Sequence, residues 1–134
     1  MKRILFIMVI LFSQTVNAND PLQRASDAYL KNGVGAFIPE LMKGSPLEGE
    51  KSVLAQSNNI RQIEEYYGAY KGFELIYEKN LTENVRIVYY VMNYEKSPVF
   101  GEATYYKQKE GEVVTNFNFN TSMWKILPPE VIFK

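Results

Sequence analysis

Val85-Arg86-Ile87-Val88-Tyr89-Tyr90-Val91-Met92-Asn93-Tyr94 is the stretch that decides the fold. At a period of two, Val85, Ile87, Tyr89 and Val91 fall on one face and Val88, Tyr90, Met92 and Tyr94 on the other. A strand that is apolar or aromatic on both faces is covered on both sides, which predicts a central strand or one buried in an interface. On its N-terminal side, from Tyr70 onward, Phe73, Leu75 and Tyr77 alternate with Glu74 and Glu78, the pattern of a half-buried strand. On its C-terminal side, Val99 to Gln108 and Val113 to Asn120 form two more strands around the turn Lys109-Glu110-Gly111-Glu112. If Phe117 and Phe119 face the core, they pair with Tyr105 and Ala103. That register needs a three- or five-residue loop or a bulge, because a two-residue turn joins odd to even positions. Val114, Asn116, Asn118 and Asn120 would then make a polar outer face.

The preceding half is helical. Asp20 is an N-cap before Pro21, and Leu22, Ala25, Ala28, Tyr29 and Leu30 follow at helical spacing until Asn32-Gly33 stops the helix. Val34, Phe37, Ile38, Leu41 and Met42 share the face of a second, short helix that starts or bends at Pro39. A third spans about Gly49 to Tyr67, with Val53, Ile60, Ile63 and Tyr67 on the apolar stripe and Gln56, Asn59, Gln62 and Glu65 on the wet side. Gly68 is its C-terminal cap. Helices followed by a four-stranded antiparallel meander make an α+β domain, with no internal repeat and no linker that would separate a second domain.

The 134 residues carry 15 Lys+Arg and 15 Asp+Glu, no His and no Cys. These absences exclude Ser-His-Asp and Cys-His triads, Cys/His zinc sites, a haem-ligating His and a disulfide framework. No phosphate loop or calcium loop is present, so no cofactor and no metal site is predicted. A balanced charge argues against a nucleic-acid partner. Met1 to Ala18 reads as a signal peptide: Lys2 and Arg3, an apolar run from Ile4 to Phe12, then Val16-Asn17-Ala18 at the cleavage position. The run is about half the ~20 residues that span a bilayer, so no stable membrane insertion is expected after cleavage. The domain is then 19–134, with 13 basic and 15 acidic side chains once Lys2 and Arg3 are removed. A short signal of this style points to a bacterial periplasm or to secretion, and without Cys the domain rests on packing alone.

The order helix-helix-helix-sheet, together with Glu65-Tyr66-Tyr67-Gly68, Glu74-Leu75-Ile76 and the ending Asn116-Phe117-Asn118-Phe119-Asn120-Thr121, resembles the small secreted members of the nuclear-transport-factor-2-like superfamily. The resemblance covers nearly all of residues 20–134. It implies a cone-shaped, cystatin-like α+β fold and often a homodimer through the sheet. The superfamily holds ketosteroid isomerases, polyketide cyclases, limonene-epoxide hydrolases and protein-binding transport factors, so it implies no single function. Its enzymes use an Asp or Asp/His base. Here the only Asp are Asp20 and Asp27, at the start of the domain. A base would have to be Glu or an unusual Tyr or Lys. Glu102, between Gly101 and Ala103, is the catalytic candidate, set against an outer-face charge.

Ten Tyr suggest a Tyr-lined cone for a planar or amphipathic small molecule, set against simple filling of a wide cone or a dimer interface. Tyr89, Tyr105 and Phe117 are its candidate lining, and Arg86 is the cation that would meet a ligand carboxylate or, alternatively, pair with a strand Glu. Met123-Trp124-Lys125-Ile126-Leu127 is an apolar C-terminal segment that closes one end of the cone or docks on a neighbouring subunit. The expected function is a non-enzymatic binding or accessory domain for a small apolar or aromatic ligand or partner side chains. The alternatives are an isomerase, cyclase or hydrolase using Glu and Tyr, and a protein-protein adaptor.

Overall fold

The computed structural model describes residues 20–133, and the signal peptide read at Met1–Ala18 lies outside them. Helix α1 (Pro21–Asn32) begins on Asp20, whose carboxylate accepts the Gln23 N–H at 3.1 Å, and ends at Gly33 with φ of 93°. A 3-10 turn (Val34–Ala36) leads into α2 (Phe37–Leu41). Pro39 thus sits in the first turn of α2, where its missing N–H leaves no bond unmade. The single helix expected from Gly49 to Tyr67 is two: α3 (Lys51–Leu54) and α4 (Gln56–Tyr67) meet at Ala55. The weak helix formers Ser57, Asn58 and Asn59 follow this break.

Strands β1 (Tyr70–Asn80), β2 (Val85–Tyr94), β3 (Pro98–Gln108) and β4 (Gly111–Asn120) form one open antiparallel meander in the order β1-β2-β3-β4. Strand β2 is internal, as its two-faced pattern predicts. Val88, Tyr90, Met92 and Tyr94 point into the helix-side core, and Val85, Ile87, Tyr89 and Val91 are half-buried on the back of the sheet. The C-terminal segment returns across that back face. Ile126 and Leu127 are buried outside the helix-side core, and Glu130 lies near Tyr89, whose phenol is raised by burial first and then by the charges of Glu102 and Glu130.

Two register details differ from expectation. Phe117 pairs with Ala103 and Phe119 with Gly101, not with Tyr105 and Ala103. The turn is a tight one at Lys109-Glu110, with Gln108 opposite Gly111, and the odd-even conflict is resolved by a bulge at Thr115 between Thr104/Asn116 and Tyr105/Val114. Val114 is therefore buried with Val113 and does not join the polar face of Asn116 and Asn118. In β1 a second irregularity between Leu75 and Tyr77 has the same consequence. Tyr77 pairs with Tyr89 of the back face, while Phe73 and Leu75 pair with Met92 and Tyr90.

The inside of the cone is filled by the chain's own aromatic residues. Tyr90 and Tyr105 are the two largest fully buried side chains, and Tyr29, Tyr70 and Tyr94 form a buried cluster beside Phe37. Each such ring removes ~150–250 Å² from water, about 4–6 kcal/mol at ~25 cal/mol per Å² if all of it is apolar, which is the main source of stability for a chain without disulfides. Tyr90 lies across Gly101, where a Cβ would fall 2.2 Å from its ring, so glycine is required there by space.

Candidate functional site

The two ends of the cone are built differently. At the turn end, β2 delivers Arg86 from the helix-side face into a nest of carboxylates. Its Nε and Nη2 donate to both oxygens of Glu112 at 2.7 and 2.9 Å, and its Nη1 donates to Glu78 at 2.6 Å. Asp20 stands 3.6 Å from Nη2, and the guanidinium lies 4.5 Å over the Tyr105 ring. Burial opposes the Arg86 charge, and the bonds to Glu112 and the charge of Glu78 outweigh it, so its pKa is raised. The Tyr105 hydroxyl accepts the Leu22 N–H at 3.2 Å and donates to Asp20 at 3.3 Å. Arg86 thus ties the start of α1 to three strands, and its charge is spent on the chain's own acids.

At the other end, α3 and α4 stand off from β4 and leave an open cleft of about 480 Å³. Its apolar part is Leu47, Val53, Ile63, Phe117 and Phe119, the two Phe rings being near-parallel with centroids 6.4 Å apart. Its polar part is Ser52, Gln56 and Asn59 on the helix wall and Asn116, Asn118, Asn120 and Thr121 on the strand wall. None of these twelve residues is charged. Past Asn59, Ile63 and Thr121 it continues into a hollow of about 420 Å³ against Gln62, Tyr66 and Tyr67, again without a charge. Residues 116–121 line the cleft consecutively, and their side chains alternate between faces, so it opens along the free edge of β4. An uncharged site with an apolar floor and an amide rim suits a neutral group offering one apolar face and hydrogen-bonding edges.

The structure does not bring the candidate residues together. Phe117 lines the cleft, Tyr105 is sealed in the core, Arg86 holds the turn end, and Tyr89 lies on the back of the sheet. Glu102 is on that back face too, opposite Tyr89 and Asn118, and its carboxylate accepts the Asn118 amide at 2.9 Å. The buried phenols stay protonated at neutral pH. Burial pushes Tyr29 and Tyr70 up to about 12, and raises Tyr90, Tyr94 and Tyr105 further. The Tyr29 and Tyr94 phenols hydrogen-bond each other at 3.2 Å, and Tyr70 is hydrogen-bonded to the Ser26 hydroxyl at 2.7 Å. The Tyr90 hydroxyl, over Gly101, has no hydrogen-bond partner among the described residues.

Sequence reasoning missed the helix wall. Gln56, Asn59 and Gln62 read as a solvated face, whereas they line the cleft and the hollow that continues it. The available signal was an unusual one, a run of amides on α4 matched by the Asn-Phe alternation of β4.

Among the described residues no helix is long and apolar enough to cross a membrane, and no group of three or more acidic, His or Cys side chains is placed to hold a metal ion. No family model matches the chain, and no curated protein matches it in sequence. Among solved structures it is similar to a domain of unknown function with a cystatin-like fold from Nostoc punctiforme PCC 73102. That alignment covers 87% of this chain and 80% of that one at 12% identity, with a TM-score of 0.53. It also aligns with the intermembrane-space region of the chloroplast protein ARC6, over 77% of this chain and 90% of that one at 10% identity, with a TM-score of 0.43. Helices packed on an open four-stranded meander, with the first of these likenesses, give the chain a cystatin-like α+β cone fold.

Proposed function

We propose that this chain is an exported, non-enzymatic binding or accessory domain that holds an uncharged apolar or aromatic group in the cleft between α4 and β4. The observation that supports this reading is the contrast in filling. The cone proper is occupied by Tyr90, Tyr105 and Phe37, while the cleft of about 480 Å³ keeps Phe117 and Phe119 half-exposed among amides. Burying ~100 Å² of a ligand's apolar surface on those rings contributes about 2.5 kcal/mol. The helix-wall amides of Gln56 and Asn59 would then set its orientation, since each can donate and accept. Export is the part of the proposal that rests on Met1–Ala18.

The test uses Nile red, a neutral apolar dye whose emission reports burial. Saturable binding is expected, weakened about tenfold in Phe119→Ala and in Ile63→Ala, the loss of one apolar contact of about 1.4 kcal/mol. Binding that survives both changes and disappears in Tyr89→Ala would move the site to the back of the sheet and overturn the proposal.

A further inference from the structure

The sheet has two edges, and they are defended unequally. Edge strand β1 carries register breaks at Tyr70/Gly72 and Leu75/Tyr77, a glycine with φ of 119° at Gly72, and the charges of Lys71, Glu74, Glu78 and Lys79. Bulges and charges of this kind keep an edge from pairing with another strand. Edge strand β4 has neither over its outer half. From Val113 to Thr121 there is no charged residue and no proline, and the pairing from Asn116 to Asn120 is regular. Every second residue of an edge strand turns its N–H and C=O outward. Among the described residues, no hydrogen bond from outside the β3 ladder reaches the backbone of residues 113–120.

The outer half of β4 is also complementary to itself. Turned end for end about Asn118, the run Asn116-Phe117-Asn118-Phe119-Asn120 sets Asn116 opposite Asn120 and Phe117 opposite Phe119, with each type on its own face. Amides facing amides can pair as donor and acceptor, rings face rings, and no like charges meet. Helix α4, which walls the same cleft, exposes Tyr66 (78%) in the hollow it shares with Thr121, apolar surface that a second molecule would cover.

We infer that β4 is a docking edge for a second copy of this chain, the two strands pairing antiparallel about Asn118 to give one continuous eight-stranded sheet. This edge differs from the sheet face through which the resemblance implies a homodimer, and part of that face is covered by the C-terminal segment. The arrangement is isologous and closes at two copies. It also supplies a wall on the side where the cleft is open. The inference stands apart from ligand binding, because it is tested without any ligand.

The experiment is analytical ultracentrifugation of the protein across micromolar concentrations, with two kinds of variant. The unmodified protein is expected to show a monomer-dimer equilibrium. Asn116→Lys, an exposed change that leaves the far-UV circular dichroism unaltered, weakens association at least about tenfold, as a charge on a pairing edge should. Because the chain has no Cys, Asn118→Cys gives a single thiol that faces its own counterpart, with Cα atoms about 4.5–5.5 Å apart, within the span of a disulfide, and oxidation yields a covalent dimer. Leu75→Cys, on exposed β1, stays monomeric under the same oxidation. A protein that is monomeric at every concentration overturns the inference. So does a dimer undiminished by Asn116→Lys, or one captured by Leu75→Cys in place of Asn118→Cys.

Discussion

Strand β4 passes through two different environments in ten residues. Its first half belongs to the turn end of the cone: Glu112 grips Arg86, and Val113 and Val114 are both buried. Its second half belongs to the open end, where Phe117 and Phe119 are only half-covered and Asn116 and Asn118 are exposed. The bulge at Thr115 marks the change. A bulge shifts the side-chain alternation by one, so the strand that buries consecutive valines can then present Phe inward and Asn outward. One end of this fold is tied together by ion pairs and buried valines, and the other leaves an uncharged cleft beside half-covered rings. Changes at the two ends should therefore separate stability from binding.

The largest effect should come from Gly101, the floor on which Tyr90 lies between the two ends. Gly101→Ala forces a methyl group into that ring and should destabilise the protein by about 3 kcal/mol, read as a lowered urea midpoint. A change within experimental error would mean that Tyr90 does not occupy the inside of the cone. Next comes Arg86→Met, which leaves Glu112, Glu78 and Asp20 facing one another without a cation. Because that guanidinium is partly exposed, the cost is about 1–3 kcal/mol rather than that of a fully buried pair. Dye binding below the unfolding transition should be unaltered, and its loss would join the two ends functionally.

A third expectation concerns pH. Tyr29 and Tyr70 titrate at about 12 in the folded chain against about 10 when unfolded. A raised folded pKa gives stability that is fully present below the unfolded value and is lost as pH rises through the folded one. Unfolding monitored by circular dichroism should therefore hold steady to about pH 10 and weaken between about pH 10 and 12. The smallest structural effect belongs to Phe119→Ala. Half-exposed as it is, its removal should lower stability by only about 1 kcal/mol while weakening Nile red about tenfold. A loss of stability several times larger with binding retained would make Phe119 a core residue and reverse the comparison.

The turn end was legible in the chain to a degree that the cleft end was not. Asp20-Pro21 and Asn32-Gly33 mark both ends of α1 because caps are local chemistry, and the two-faced apolar run of Val85 to Tyr94 announces an internal strand. The bulges at Ile76 and Thr115 leave no local signature, since nothing in Leu75-Ile76-Tyr77 or Val114-Thr115-Asn116 favours an extra residue over regular pairing. They are set by the tight turn at Lys109-Glu110 and by which side chains the core accepts. Arg86 was recognisable as a charge in an apolar strand, but the choice among ligand, rim and strand Glu depended on Glu112 arriving from 26 positions away. The cleft was hidden for the same reason: it joins residues 47–63 to residues 116–121, and amides on a helix face read as solvated unless their opposite wall is known.

The most direct test of the account is a 1H–15N NMR titration of the isotopically labelled protein with octyl glucoside, a neutral amphiphile kept below its micelle concentration. The account predicts amide shifts concentrated at residues 52–63 and 116–121, with Arg86, Tyr90 and Tyr105 unmoved. Shifts centred on Tyr90 and Tyr105 would show that the cone itself opens to ligand, and shifts centred on Tyr89 and Trp124 would put the binding surface on the back of the sheet. Either result would contradict the assignment of binding to the open end of β4.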